Sequence, residues 1–241
     1  MTSSLRERPA RWWHAATLAV VATGLIWQLV LIVQNTNVLV EANGTAPSTA
    51  TRVVRFFSYF TVESNILVGV AAAMLLLRPD RDGPLWRVLR LDALIGISVT
   101  GVVYTTLLRG VVELHGAAAV TNALVHYVAP LMAVIGWLLF GARPRLMENT
   151  LVASLIWPAL YVAYTLAHGA ASHRYPYPFI DVAKLGYATA LRNGVGLNLL
   201  LVGIGALFMW LDHRLPARPP PETAARIAAR IAASAGTTNS A

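Results

Sequence analysis

The sequence predicts an all-α integral membrane protein, a bundle of six transmembrane helices with both termini in the cytoplasm. Three observations predict it. Only 12% of the 241 residues are charged and 56% are hydrophobic, where a soluble domain carries about 25% charged residues. Mean hydropathy is +0.58, and the polar residues are clustered. The apolar stretches left between them are about 20 residues long, enough to cross about 30 Å of hydrocarbon at 1.5 Å per residue. Basic residues are abundant in alternate connections and sparse in the others, as the positive-inside rule requires. A soluble enzyme is excluded.

The six spans fall at 14–34, 53–77, 91–109, 119–140, 149–168 and 188–212. Turn-forming clusters separate them: Asn35 to Arg52, Arg78 to Pro84, Gly110 to Ala118, Gly141 to Glu148 and Gly169 to Tyr187. Residues 1–13 then form a cytoplasmic N-terminus and 14–212 the transmembrane domain. Residues 213–241 form a cytoplasmic tail rich in Arg, Pro and Ala, read as disordered or as a short amphipathic helix on the headgroups. Thirteen basic residues share the side of the termini: Arg6, Arg8, Arg11, Arg78, Arg81, Arg87, Arg90, Arg143, Arg145, Arg214, Arg218, Arg226 and Arg230. Six belong to the other side: Arg52, Arg55, Arg109, Arg174, Lys184 and Arg192. The first apolar run is longer than the 7–15 residues of a signal peptide. It is read as a retained helix, with cleavage near Ala46 or Ala50 as the alternative.

Net charge is +8, and 18 of the 19 basic residues are Arg. Arg and Ala richness fits high-GC coding, so the expected location is a bacterial plasma membrane. The acidic partner of those charges is then the lipid headgroups rather than nucleic acid. Cysteine is absent, which removes disulfides, thiol nucleophiles and thiolate metal sites together. No two histidines stand at metal-ligating spacing, and no metal or other cofactor is expected. Asn43-Gly44-Thr45 fits a glycosylation sequon, which has no consequence in a bacterial chain.

Polar groups are costly in lipid, so those kept within spans carry the information. In the second span Arg55, Ser58, Thr61 and Asn65 recur at helical spacing and share one face. Glu63 faces elsewhere, and Arg192 is its expected partner. In the fourth span His126 is the only residue ionisable near neutral pH, with Asn122 one turn before it and Pro130 one turn after. The second, fourth and sixth spans run in the same direction. Thr61 and His126 therefore lie at matched depth, about two turns below the outer surface, with Arg192 and Asn193 entering nearby. Tyr104, Thr105 and Thr106 end the third span on that side, as Tyr164, Thr165 and His168 end the fifth. Asp92 is read as a neutralising partner of Arg87 and Arg90 at the inner surface.

A threonine hydroxyl is inert at neutral pH until a base removes its proton, and neutral histidine is suited to that task. Thr61 and His126 are thus the candidate nucleophile and base, expected within hydrogen-bond reach, while Tyr59 points elsewhere. Asn65, Asn122 or Arg192 could donate to an oxyanion or to a substrate carboxylate, and Asn193 and Tyr177 complete the substrate side. No nucleophile elbow, paired carboxylates or phosphate loop compete with this pair.

At these residues the chain resembles the androgen-induced-protein family of six-helix membrane proteins, whose animal members hydrolyse fatty acid esters of hydroxy fatty acids. Tyr59-Phe60-Thr61, His126 with Pro130, and Tyr177-Pro178-Phe179-Ile180-Asp181 carry the resemblance. It spans the six-helix layout, with identity confined to those patches, and it implies that Thr61 and His126 are a catalytic pair. The expected activity is hydrolysis of a lipid or fatty acyl ester. The alternatives are a non-catalytic protein that binds or transports a lipid or small amphiphile through the same polar chamber, and a structural protein in which the polar stripe only joins helices.

Overall fold

The structure, a computed structural model of the chain, describes residues 4–36 and 47–218. The sequon, Ala46, and the tail from residue 219 onward lie outside the described residues. Among the described residues the fold is all-α, and six helical stretches are long and apolar enough to cross a membrane. They are Glu7–Val33, Phe60–Leu77, Pro84–Leu108, Gly116–Phe140, Glu148–Ser172 and Val182–Arg214.

In chain order, α1 is Ser4–Val33, α2 Thr49–Phe57, α3 Phe60–Leu77 and α4 Pro84–Val103, which a wide π turn extends to Leu108. α5 is Gly116–Ala123, a second π turn covers Leu124–Val128, and α6 is Ala129–Phe140. α7 is Glu148–Ser154, α8 Ile156–Ser172 and α9 Val182–Arg214, with a 3-10 turn at Pro178–Ile180 ahead of α9. Helix α4 runs through the middle, packed against α3, α6, α7 and α9. Its residues Leu91, Leu94, Ile95 and Ile97 are fully buried. Small residues set the close approaches. A side chain at Gly96 would collide with Ser64 and Trp157, and one at Gly136 with the Trp13 indole. The Trp13 Nε1 donates to the Met132 carbonyl at 3.0 Å, joining α1 to α6.

Several boundaries differ from the sequence reading, each for a local reason. α1 starts at Ser4, inside the segment assigned to a cytoplasmic N-terminus, and Glu7 and Arg11 pair along it at 2.9 Å, one turn apart. α4 begins at Pro84, where a proline lacking its N–H fits the first turn. The fifth span is two helices, because Pro158 has no N–H to donate to the Ser154 carbonyl. α9 opens at Val182 and kinks at Gly186, whose φ of 72° suits only glycine without strain.

The second span is also two helices. Ser58 closes α2 and Tyr59 is extended, with φ −83° and ψ 129°. The four-residue stripe expected on one continuous helix is therefore split, Arg55 on α2 and Thr61 and Asn65 on α3. Arg52, on α2, ties this corner to the end of α1 by donating to the carbonyls of Ile32 and Val33 at 2.9 and 3.3 Å.

One end of the bundle gathers basic connections. Arg143 and Arg218 exchange two backbone hydrogen bonds of 2.9 Å, so the connection after α6 meets the chain beyond α9. Asp212 Oδ2 accepts from the amides of Arg145 and Leu146 at 2.6 and 2.8 Å. Asp92, expected to neutralise Arg87 and Arg90, forms no ion pair among the described residues, and its Oδ1 is buried without a hydrogen bond. Arg87 instead grips Asp82 through two bonds of 2.8 and 2.9 Å, because the connection after α3 brings that carboxylate back over the start of α4.

Those hydrogen bonds from Arg87 hold the Asp82 carboxyl down at about 2. A depressed folded pKa adds stability that is complete above the unfolded value, about 3.9, and disappears as the pH falls through the folded one. Wild type is therefore expected to melt above Asp82→Asn at neutral pH, and the gap to close between about pH 4 and pH 2. Thermal melts of the two proteins in detergent across that range check it.

Candidate functional site

At the opposite end, the break before α3 decides the local chemistry. A helix start leaves its first amide N–H groups without intrahelical partners, and here they are buried, so they require acceptors. Tyrosine hydroxyls far along the chain supply them. Phe60 N–H donates to the Tyr161 hydroxyl at 3.1 Å and Thr61 N–H to the Tyr177 hydroxyl at 3.4 Å. Tyr161 in turn donates to the Ser58 carbonyl at 3.1 Å, and the Ser58 and Tyr164 hydroxyls meet at 2.6 Å. Thr61 therefore stands in the first turn of α3, where the helix dipole is positive.

The structure brings Thr61 and His126 together: Thr61 Oγ1 lies 3.3 Å from His126 Nε2. The other ring nitrogen, Nδ1, is 3.1 Å from the carbonyl oxygen of Asn122. A carbonyl can only accept, so Nδ1 carries the hydrogen of the neutral ring and Nε2 offers its lone pair to the threonine hydroxyl. This is the arrangement in which a hydroxyl donates to a base that a third group orients. His126 lies within the π turn Leu124–Val128, and Tyr104 within the π turn Tyr104–Leu108. The two rings stack with centroids 4.0 Å apart and planes at 25°. Asn122 Nδ2 donates to the Tyr104 hydroxyl at 2.6 Å and fixes that ring against the imidazole.

Asn65, fully buried, donates its amide hydrogens to the carbonyls of Thr61 and Val125 at 2.8 and 3.2 Å. It bridges the two helices that carry the pair and is a positioning residue rather than a group free to meet substrate. Asn193 donates to the Phe179 carbonyl at 2.8 Å and anchors the loop ahead of α9. That loop folds inward: Tyr177 is buried, stacked on Phe179 at 5.2 Å and edge-on to Tyr59 at 5.7 Å. Tyr59 thus faces the loop and not His126. Burial pushes the Tyr177 phenol up to about 12, so it keeps its proton, and its capacity to donate, at any working pH.

The expected pair of Glu63 with Arg192 does not form. Glu63 pairs with Trp157, whose Nε1 donates to Oε2 at 3.0 Å, and not with Arg192. Arg192 is exposed and forms no ion pair among the described residues. The kink at Gly186 and the loop anchor at Asn193 turn its side of α9 outward. Thr105 and Thr106 are also exposed and bond only the carbonyls one turn back, at 2.7 and 2.8 Å.

A cavity of about 160 Å³ reaches Thr61. Phe60 and Thr61 of α3, Val99, Thr100 and Val103 of α4, Tyr161 and Thr165 of α8, Tyr177 and Phe179 of the loop, and residues of α9 line it. The Thr100 hydroxyl is buried there without a hydrogen-bond partner among the described residues. Sequence reading missed Tyr161. The signal available for it was its spacing of four from Thr165, which puts two polar groups on one face of an apolar helix. Comparison with protein-family models, curated proteins and solved structures gave no match.

Replacing Tyr177 by Phe removes the hydroxyl beside Thr61 and keeps the ring stack. If the hydroxyl donates to developing negative charge, kcat for an ester falls by roughly 10²-fold, the scale of losing one such donor. KM stays within about threefold, because uniform binding is untouched. Steady-state kinetics of Tyr177→Phe check the split.

Proposed function

We propose that this multi-pass membrane protein is a threonine hydrolase of lipid or fatty acyl esters and a bacterial branch of the androgen-induced-protein family. The observation that carries the reading is the Thr61–His126 contact of 3.3 Å, with Nδ1 fixed by the Asn122 carbonyl, at the wall of an apolar cavity. Thr61 Oγ attacks the ester carbonyl carbon while His126 Nε2 takes the hydroxyl proton. The charge that collects on the carbonyl oxygen meets the Tyr177 hydroxyl, which accepts from the Thr61 amide at the positive end of α3 and keeps its own hydrogen to donate. Collapse breaks the bond to the alcohol oxygen, which receives the proton from His126, and leaves the acyl group on Thr61. Water then attacks that ester, giving its proton to His126, which returns it to the threonine oxygen as the acid departs.

A fluorophosphonate probe tests this reading. Wild type is expected to be labelled covalently and Thr61→Ala to be unlabelled at equal expression; equal labelling of both contradicts it. Topology belongs to the same proposal. With both termini in the cytoplasm of a bacterial plasma membrane, reporter fusions after Arg145 read cytoplasmic and those after Arg174 read exported.

A further inference from the structure

The cavity at Thr61 is not closed. Leu191 and Val195 on α9 both line it, yet they are 53% and 60% exposed on the outer surface of the bundle. The opening therefore lies at the height of these two residues, between α9 and Val162 and Leu166 of α8. That surface belongs to two membrane-spanning helices, so the opening faces hydrocarbon rather than water.

The glycines of α9 show why this gap exists. At Gly205 an added side chain would meet Leu151 at 2.6 Å and Ile95 at 2.9 Å, so the later half of the helix is clamped to α4 and α7. At Gly194, Gly196 and Gly203 an added side chain meets nothing within 4 Å. On the face carrying Gly194 the helix leaves open space beside it, and Asn193 ties the earlier half to the loop.

We infer that the acyl chain of the substrate lies in this cavity and continues sideways into the bilayer between α8 and α9, past Gly194. The inference rests on Thr61 being the nucleophile for its catalytic consequence, but the binding path is a separate property. Size supports it: an apolar cavity of about 150 Å³ stays dry and takes a benzene-sized group, so the 160 Å³ here holds about six carbons of a chain. The remainder of a membrane lipid's chain has to leave through the opening. Gly194 lines the cavity and has room for a side chain, so Gly194→Phe fills the path without forcing the backbone. Gly203 has the same freedom and does not line the cavity, which makes Gly203→Phe the control.

The test uses the full chain in phosphatidylcholine vesicles, with hexadecanoyl and acetyl esters of one fluorogenic alcohol, a small fluorophosphonate, and a photoreactive hexadecanoyl ester. Gly194→Phe is expected to lower hexadecanoyl ester turnover and photocrosslinking to α8 and α9 peptides at least tenfold. The ratio of hexadecanoyl to acetyl turnover drops at least tenfold, fluorophosphonate labelling of Thr61 continues, and Gly203→Phe matches wild type throughout. The inference is overturned if Gly194→Phe leaves hexadecanoyl crosslinking unchanged, or if long and short esters lose turnover equally. Absence of fluorophosphonate labelling and ester turnover in wild type removes the hydrolase reading alone. Crosslinking that still falls tenfold in Gly194→Phe then upholds the lateral path, and crosslinking that does not fall overturns it.

Discussion

Thr61→Ala and His126→Ala are each expected to lower ester hydrolysis by about 10³-fold or more, the range for losing a nucleophile or its general base. The double variant should be little worse than either single one, because residues acting as one unit are not additive. Thr61→Ser keeps the hydroxyl at 3.3 Å from Nε2 and retains measurable turnover. His126→Gln keeps an amide near the threonine but has no basic lone pair, so it fails with the alanine variant. Thr61→Ala and Thr61→Ser remove no contact between helices other than the pair itself, and their thermal stability in detergent should hardly move. His126→Ala and His126→Gln also lose the stack on Tyr104 and should be destabilised by about 0.5–1.5 kcal/mol. Initial rates with an ester substrate, together with melting curves, separate loss of chemistry from loss of fold.

Asn65→Ala carries the second large effect, and magnitudes decide where it shows. Its side chain satisfies two buried carbonyls. In water such a loss would cost about 1–3 kcal/mol for each unsatisfied group. Interhelical hydrogen bonds in membranes average only about 0.6 kcal/mol, because the unfolded state in lipid also finds partners. Stability should therefore fall modestly, by about 1–2 kcal/mol. Rate should fall far more. The Val125 carbonyl is one residue from His126, and a displacement of about 1 Å at a reacting group can cost about 10²-fold. The expected result is kcat down by about 100-fold with KM little changed, and slower covalent labelling of Thr61 in parallel. Asn65→Asp, which keeps the shape and loses the donors, should behave like the alanine variant. A merely structural role predicts that stability falls while kcat per folded molecule stays at the wild-type value.

The pair was legible in the sequence because each member breaks the surrounding pattern. His126 is the one side chain in its apolar span suited to proton transfer near neutral pH, and Thr61 sits at matched depth on a helix of the same direction. Six spans were legible for the same reason, since length and apolarity report directly on the hydrocarbon they cross. The break at Ser58 and Tyr59 was not, because neither proline nor glycine marks it. Its buried amides are satisfied by Tyr161 and Tyr177, more than 100 residues away, and such partners belong to tertiary structure. The same limit produced the error at Glu63. Charge complementarity pointed to Arg192, whereas a neutral indole donor on α8 reaches the carboxylate and the arginine side of α9 turns outward. The stacking of Tyr104 on His126 depends on two π turns meeting. A local change from one hydrogen-bond register to another leaves no periodicity to read in so short a segment.

Hydrolysis by this route requires that a substrate ester acylate Thr61. Mixing the protein with a slowly deacylating ester, quenching in acid and sequencing its peptides by mass spectrometry tests this most directly. One acyl group is expected, on the peptide containing Thr61, present in wild type and missing from both Thr61→Ala and His126→Ala. Ester turnover in Thr61→Ala at the wild-type rate, or an acyl group carried on another residue while Thr61 stays unmodified, would contradict it.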